Sequence, residues 1–217
     1  MKLVMVGGHS RNIGKTSVVE GIIRAMPECN WTAAKITQFG HGICSMNGKE
    51  CGCAVSEHQF SINEERYRAT GTDTSRFLDA GARRSLWVRT KQGDLLTAMP
   101  TFRRKIERDE FVIVESNSLR RFMEPVAYLQ VLDFSNPDCK LSSQEFFDVS
   151  DAYVVVSKGD HQPAVLANEV LLAREIDKDK PCFTVTKEDR YMSAEVVEFV
   201  RSRLGAFDAE RRLQKAG

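Results

Sequence analysis

The first 26 residues contain the pattern that most narrows the folds open to this chain. An apolar run at residues 2–6 ends in two glycines, and Gly-Lys-Thr follows at residues 14–16. Residues 16–26 then carry apolar side chains at helical spacing. A strand, a glycine-containing loop and a helix N-terminus in this order favour phosphate binding, because inward N–H groups and the helix dipole attract anions. The segment therefore predicts a phosphate-binding loop, or P-loop.

Two side chains of this loop have expected roles. Lys15 can bridge the β- and γ-phosphates, and the Thr16 hydroxyl can ligate Mg²⁺. The loop departs from the G-x-x-x-x-G-K-[ST] pattern, because His9 stands at the first glycine and Gly8 comes one residue early. Either the loop is one residue longer or it begins with a non-glycine; a chance Gly-Lys-Thr is the alternative. The residues predicted to bind nucleotide here are Gly8, Arg11, Asn12, Ile13, Gly14, Lys15, Thr16 and Ser17.

Strand-like and helix-like segments alternate along the rest of the chain. Continuous β-branched runs at residues 111–114 and 152–156 are typical of strands covered on both faces. Further strands are predicted at residues 31–37, 85–90, 127–134 and 182–185, and helices at 74–82, 94–108, 164–176 and 193–204. The alternation predicts an α/β P-loop NTPase fold: a mostly parallel sheet with helices on both faces.

Size and charge exclude several classes of function. The 217 residues suit one domain, predicted here as residues 1–217. Lys plus Arg number 31 and Asp plus Glu 30, so a net charge of +1 argues against binding nucleic acid or anionic membranes by bulk electrostatics. No apolar run approaches the roughly 18 residues of a membrane span, and the N-terminus lacks a signal-peptide pattern. We therefore expect a cytoplasmic protein.

Acidic residues at strand ends complete the predicted site. Glu115 follows the buried run at residues 111–114 in the manner of a Walker-B acid, which holds Mg²⁺ beside the γ-phosphate; an ordinary surface acid is the alternative.

Two Lys-x-Asp pairs at strand ends resemble the [NT]-K-x-D motif by which many GTPases recognise guanine. The first is Lys158 with Asp160, and the second is Lys187 with Asp189. We favour the first, because its strand is the stronger; two solvated turns are the alternative.

With these residues the chain resembles the MobB family, the GTP-binding adapters of molybdopterin-guanine dinucleotide biosynthesis. Residues 71–76 (Gly-Thr-Asp-Thr-Ser-Arg) and 80–82 (Ala-Gly-Ala) are similar to the family's G-K-D-[ST]-x-R…A-G-A segment, with Thr72 in place of lysine. Residues 111–115 are similar to a family strand ending in Glu-Gly, with Ser116 in place of the glycine. At residues 35–38, Lys-Ile-Thr-Gln stands where the family carries a His-rich K-H-T-H-H segment.

The resemblance implies a function and one more site residue. Asp73 would lie near the nucleotide and Mg²⁺, with capping of its helix as the alternative. The predicted catalytic residues are then Lys15, Glu115 and Asp73, and the predicted Mg²⁺ ligands are Thr16, Asp73 and Glu115. The expected function is slow Mg²⁺-dependent GTP hydrolysis by an adapter or chaperone for a metal cofactor, with molybdopterin implied. A protein partner is expected, and a homodimer by fold analogy.

A cysteine-rich insertion is predicted at about residues 40–71. Cys44, Cys51, Cys53 and His58 fall within fifteen residues there, close enough to close a tetrahedral zinc site. An iron–sulfur cluster would need a further Cys or a His ligand, and a redox-active cluster or free thiols are the alternatives. The insertion lies where such GTPases keep a switch, so metal and nucleotide states could be coupled. Cys182 heads an apolar strand and is predicted to lie in the core.

A second function class fits the same fold. A small-molecule kinase or ATP-dependent ligase of the dethiobiotin synthetase type would share the P-loop. It would need a pocket for an anionic substrate, for which Arg66, Arg68 and Arg76 are the candidate ligands. A preference for ATP over GTP would favour this second class.

Overall fold

The computed structural model describes residues 1–39, 60–136, 139, 141–157, 177 and 179–216, and the side chains of all these except 141, 142 and 206–216. One sheet of eight strands runs through this part of the chain, in the order β3-β4-β2-β5-β1-β6-β7-β8. The strands are β1 (Lys2–Gly8), β2 (Thr32–Phe39), β3 (Phe60–Glu64), β4 (Arg84–Lys91), β5 (Phe111–Glu115), β6 (Ala127–Leu132), β7 (Ala152–Ser157) and β8 (Cys182–Thr186). Only β3 pairs antiparallel; the other pairings of the sheet are parallel.

Helices connect the strands, and local sequence explains the end of the first helix and the start of the second. They are α1 (Lys15–Ala25), α2 (Asp73–Asp79), α3 (Leu95–Ile106), α4 (Leu141–Gln144) and α5 (Ala194–Ala216), with short 3₁₀ turns at Pro27–Cys29 and Ser118–Arg121. Pro27 begins the turn that follows α1. Thr72 caps α2, because its Oγ1 accepts a hydrogen bond from the Ser75 N–H at 3.1 Å. Within the described residues, no helix is long and apolar enough to cross a membrane.

Successive side chains of β1 pack on opposite faces of the sheet, and helices cover both. Val4 and Val6 belong to the core beneath α1, α2 and α5, whereas Leu3 and Met5 pack with α3. Because side chains alternate along a strand, a run that is apolar at every position needs cover on both sides. The mostly parallel sheet with helices on both faces is therefore confirmed.

Two elements differ from the sequence prediction. The insertion predicted at about residues 40–71 contains strand β3, which pairs with β4 at one edge of the sheet. α5 continues to Ala216, twelve residues beyond the predicted end at residue 204. The helix predicted at residues 164–176 lies outside the described residues.

Candidate functional site

The loop from β1 to α1 lies near the centre of the described sheet, because β1 pairs with β5 on one side and with β6 on the other. A Cβ added to Gly8 would lie 2.8 Å from Cδ of Lys15, so only glycine lets the lysine fold back over the loop. Gly14 ends the loop with φ +93°, a left-handed conformation that glycine adopts without strain. Glycine at positions 8 and 14 therefore fits the close packing and the backbone conformation of the loop.

Lys15 lies half-buried with its Nζ directed into the loop, where it donates a hydrogen bond to the Ser10 carbonyl. Burial lowers the pKa of Lys15 to about 8, and the nearby positive charge of Lys35 acts in the same direction. The negative charges of Glu115 and Asp73 raise the pKa of Lys15 and partly oppose these two effects.

Four side chains from different elements meet beside Lys15. Thr16 Oγ1, at the start of α1, donates to Glu115 Oε2 at 2.7 Å. Lys35 Nζ, on β2, lies 2.9 Å from Glu115 Oε1 and 3.4 Å from Thr16 Oγ1, and it also bonds Asp73 Oδ2. The three residues predicted to ligate Mg²⁺ are thus brought together, with Lys35 between them. Their oxygens are the hard donors that Mg²⁺ prefers, so the donor set fits this ion.

Lys35 is the member of this group that the sequence did not reveal. Its side chain is only 16% exposed, and it stands opposite Glu115 in the β2–β5 ladder. Burial alone would lower the pKa of Lys35, but the carboxylates of Glu115 and Asp73 outweigh burial, and the pKa is raised. Lys35 therefore stays charged. A lone lysine within an apolar strand was the available sequence signal.

Arg76 fixes α2 against α1 near the predicted metal ligands. Its guanidinium donates to both carboxylate oxygens of Glu20, at 2.8 and 3.0 Å, and to Ser17 Oγ at 3.0 Å. Asp73 Oδ1 lies 3.6 Å from the same guanidinium. Arg76 is thereby committed within the fold, and Arg68 likewise donates to the Leu78 carbonyl at the end of α2. Of the three arginines predicted to bind an anionic substrate, Arg66 and Arg68 are exposed and Arg76 is partly buried.

The strands on either side of β1 hold the loop in place. From the β5 side, Asn117 binds both backbone polar groups of Gly8, accepting from its N–H at 2.8 Å and donating to its carbonyl at 3.0 Å. From the β6 side, His9 accepts at Nδ1 from the Asp133 N–H at 3.4 Å and contacts the Asn136 carbonyl through Nε2 at 3.3 Å. Burial lowers the pKa of His9, so a neutral ring fits both contacts.

The second predicted base-recognition pair lies on a turn that follows β8. Asp189 Oδ2 accepts from the Thr186 hydroxyl at 2.6 Å, and the Asp189 N–H donates back to it at 3.1 Å. The turn then brings Tyr191 to the P-loop, because a Cβ on Gly14 would lie 3.1 Å from the Tyr191 ring. The favoured pair, Lys158 and Asp160, lies outside the described residues.

The cysteines give no metal centre in the described part of the chain. Cys44, Cys51, Cys53 and His58 lie outside it, so the zinc or iron–sulfur site stays a prediction. The described His, Cys, Asp and Glu residues form no cluster of three or more that could hold a metal ion. Cys182 is exposed rather than in the core, because β8 forms the edge of the described sheet.

A central strand that leads into a glycine loop and helix, beside a strand ending in an acid, defines a P-loop NTPase fold. Searches against protein-family models and curated proteins find no match. Among solved structures, the chain is similar to LpxK from Aquifex aeolicus in complex with ATP, with 12% identity and a TM-score of 0.42. That match covers 85% of this chain and 53% of LpxK, so the chain spans about half of LpxK.

The chain is also similar to two structures of Bacillus subtilis MobB. The identities are 16% and 15%, the TM-scores 0.40 and 0.38, and both matches cover 94% of this chain. They cover 98% and 97% of MobB. These two structures belong to the family that the sequence resembles.

Proposed function

We propose that the protein binds a nucleoside triphosphate with Mg²⁺ at the P-loop and hydrolyses it slowly. The observation that carries the proposal is the 2.7 Å hydrogen bond from Thr16 to Glu115, beside Lys15. It joins the residues at the start of α1 to an acid on the neighbouring strand. A phosphate-binding lysine, a hydroxyl and a carboxylate in this arrangement are what phosphoryl transfer requires, since its catalysis is largely positional and electrostatic.

Backbone N–H groups and two lysines of the chain would bind the phosphates together. The first N–H groups of α1 lack helical partners and point to the loop, so they can donate to phosphate oxygens. Lys15 and Lys35 add two positive charges at the same place. Thr16, Asp73 and Glu115 would hold Mg²⁺, which supplies charge neutralisation on the phosphate oxygens when bound.

We further propose GTP as the preferred nucleotide. Support comes from the turn after β8, where Thr186 fixes the Asp189 carboxylate and Tyr191 joins the same turn to Gly14. A carboxylate held in this way can accept hydrogen bonds from the N1–H and exocyclic amine of guanine. If this pair recognises the base, Asp189→Asn weakens GTP binding by about tenfold or more. An unchanged affinity would exclude Asp189 from recognition of the base.

The biological role that we propose is that of an adapter or chaperone in metal-cofactor maturation, acting with a protein partner. Its support is the sequence resemblance to the MobB family and the predicted cysteine cluster. Molybdopterin is the cofactor that the resemblance implies.

Titration calorimetry with GTP and ATP in the presence of Mg²⁺ tests the nucleotide site. Loss of the half-buried Lys15 ammonium would remove a charge that pairs with phosphate, so we expect Lys15→Ala to weaken binding by about 100-fold. Lys91→Ala is the matched control, because Lys91 is an exposed lysine at the end of β4, and it should bind like the wild type. Equal affinity in Lys15→Ala and the wild type would contradict the proposal.

A second candidate function is group transfer from ATP to a small anionic substrate. Lys35 favours it, because its ammonium stands beside Asp73 and Thr16 and adds a positive charge beyond that of the P-loop. Tighter binding of ATP than of GTP, with phosphate appearing on an added metabolite rather than in water, would favour this function over slow hydrolysis.

A further inference from the structure

Lys35 contacts every side chain proposed to hold Mg²⁺. Its Nζ lies 2.9 Å from Glu115 Oε1 and 3.4 Å from Thr16 Oγ1, and it bonds Asp73 Oδ2. The ammonium therefore stands at the point where these oxygens converge. Lys35 lies in the middle of β2 and its side chain is only 16% exposed. The surrounding sheet therefore fixes the position of its charge.

Two carboxylates that converge in a half-buried site need a positive charge between them. Glu115 is 5% exposed and Asp73 is 37% exposed at its side chain, so water screens the first of them very little. Lys35 supplies the compensating charge from within the chain. A divalent ion that came alone would have to break both ion pairs and would leave the Lys35 ammonium beside a second cation.

We propose that Lys35 is an internal counter-cation that occupies the Mg²⁺ position until nucleotide arrives, so that the metal is accepted only together with phosphate. The proposal rests on the proposed function, because the triphosphate gives Lys35 a new anionic partner when it leaves the carboxylates. Without nucleotide, Lys35 keeps its ion pairs with Glu115 and Asp73 and holds its place. The protein thereby discriminates against bare divalent ions while keeping a hard-oxygen donor set ready.

Binding of Mn²⁺ without nucleotide tests this inference, because bound Mn²⁺ loses the electron paramagnetic resonance signal of the free hydrated ion. We expect wild-type protein to bind Mn²⁺ weakly. Lys35→Gln and Lys35→Met remove the positive charge that lies between the two carboxylates, so each should bind Mn²⁺ at least about tenfold more tightly. Lys35→Arg keeps a positive charge and should bind as weakly as the wild type. Lys91→Gln controls for the loss of one surface charge and should not change Mn²⁺ binding.

Adding Glu115→Gln to Lys35→Gln should abolish the gain, since it removes a carboxylate that holds the ion. The same Mn²⁺ affinity in the wild type, Lys35→Gln and Lys35→Met would overturn the inference, and so would a gain that survives Glu115→Gln. Lys35→Gln carries a polar side chain and Lys35→Met an apolar one, so the test remains possible if one of the two variants fails to fold. Circular dichroism shows whether each variant is folded.

Titration of the wild type with Mg²⁺ and GTP or ATP separates this inference from the proposed function. If the wild type binds neither nucleotide, the proposed function fails. If it binds nucleotide and the Lys35 variants gain no Mn²⁺ affinity, only the counter-cation role fails. Mn²⁺ binding to the wild type that is as tight without nucleotide as with it would also exclude that role.

Discussion

The side-chain amide of Asn117 pairs with the backbone of Gly8 as a strand neighbour would, accepting from its N–H and donating to its carbonyl. The same Oδ1 lies 3.4 Å from the Tyr128 hydroxyl, which in turn donates to Gln130 at 3.1 Å. Gln130 in turn donates a hydrogen bond from Nε2 to the Ser143 hydroxyl at 2.6 Å. These four side chains therefore form a polar network beneath the phosphate loop, and Asn117 is the member that contacts the loop, at Gly8.

Asn117→Asp tests that contact with almost no change in shape. The carboxylate cannot donate to the Gly8 carbonyl, so we expect the free energy of unfolding to fall by about 2 kcal/mol. Nucleotide affinity should fall as well, because the loop loses an anchor. Urea unfolding and calorimetry measure the two effects. Asn63→Asp, at an exposed position of β3, is the control and should leave both quantities nearly unchanged.

Gly7→Ala should be among the most destabilising small substitutions in the chain. A Cβ there would lie 2.2 Å from Oδ1 of Asn117, 2.4 Å from Oε1 of Gln130 and 2.6 Å from the Tyr128 hydroxyl. We expect a loss of at least about 2 kcal/mol, because three packed polar groups must move. Thermal or urea unfolding measures it, and a stability equal to that of the wild type would show that the network is loosely packed.

Gly205→Ala is the matched substitution with the opposite expected sign. Gly205 lies within α5, and a Cβ there would meet nothing within 4 Å. Alanine should raise stability by about 0.5–1 kcal/mol through helix propensity.

Tyr191 adopts φ +58° directly after Arg190 at φ +54°, a conformation that a bulky residue seldom takes. Its ring lies against Gly14, so we infer that the ring contact offsets the backbone strain. Tyr191→Ala keeps the strain and loses the ring, whereas Tyr191→Gly loses both. We therefore expect Tyr191→Gly to be the more stable of the two by about 1 kcal/mol, measured by urea unfolding.

Tyr67→Ala provides the comparison for Tyr191, because Tyr67 is 71% exposed. It should change stability by less than about 0.5 kcal/mol. If Tyr191→Ala were equally harmless, the ring contact with Gly14 would have no energetic role.

The thiols of Cys29 and Cys182 should differ in reactivity. Cys29 is 6% exposed, and burial raises its pKa to about 11, whereas Cys182 is exposed. At pH 8 we expect iodoacetamide to modify Cys29 at least about 100-fold more slowly than Cys182, as followed by peptide mass spectrometry. In urea the two rates should converge. Equal rates in native protein would place Cys29 outside the core.

Because the pKa of Cys29 is raised, this thiol also makes the free energy of unfolding depend on pH. Above pH 9 the thiol loses its proton in the unfolded chain but keeps it in the folded one. The unfolded state then binds fewer protons, so this thiol lowers the free energy of unfolding as pH rises from 9 towards 11.

The parallel strands could be predicted because each contains a short apolar run, and the inner ones are buried on both faces of the sheet. β3 could not, since its residues (Phe-Ser-Ile-Asn-Glu) are half-buried at an edge and resemble a polar loop. The proximity of Thr16 and Glu115 could be predicted, because both follow from the order of strand, loop and helix around the P-loop.

Lys35, Asn117 and Tyr191 act through partners that are distant in sequence. Lys35 meets Asp73 and Glu115 across 38 and 80 residues, and Asn117 meets Gly8 across 109. Local patterns contain no information on which of these residues converge. Only the order of the strands brings them together.

The central position of β1 has a consequence for synthesis of the chain. β1 is translated before the other described strands, yet both of its neighbours, β5 and β6, lie more than a hundred residues later, as the 109-residue interval from Gly8 to Asn117 shows. Contacts closed over such intervals form slowly, because the intervening chain must be ordered. The phosphate loop therefore acquires its final shape only after most of the sheet has been translated. A nucleotide that binds this loop would select finished molecules and, by mass action, stabilise them.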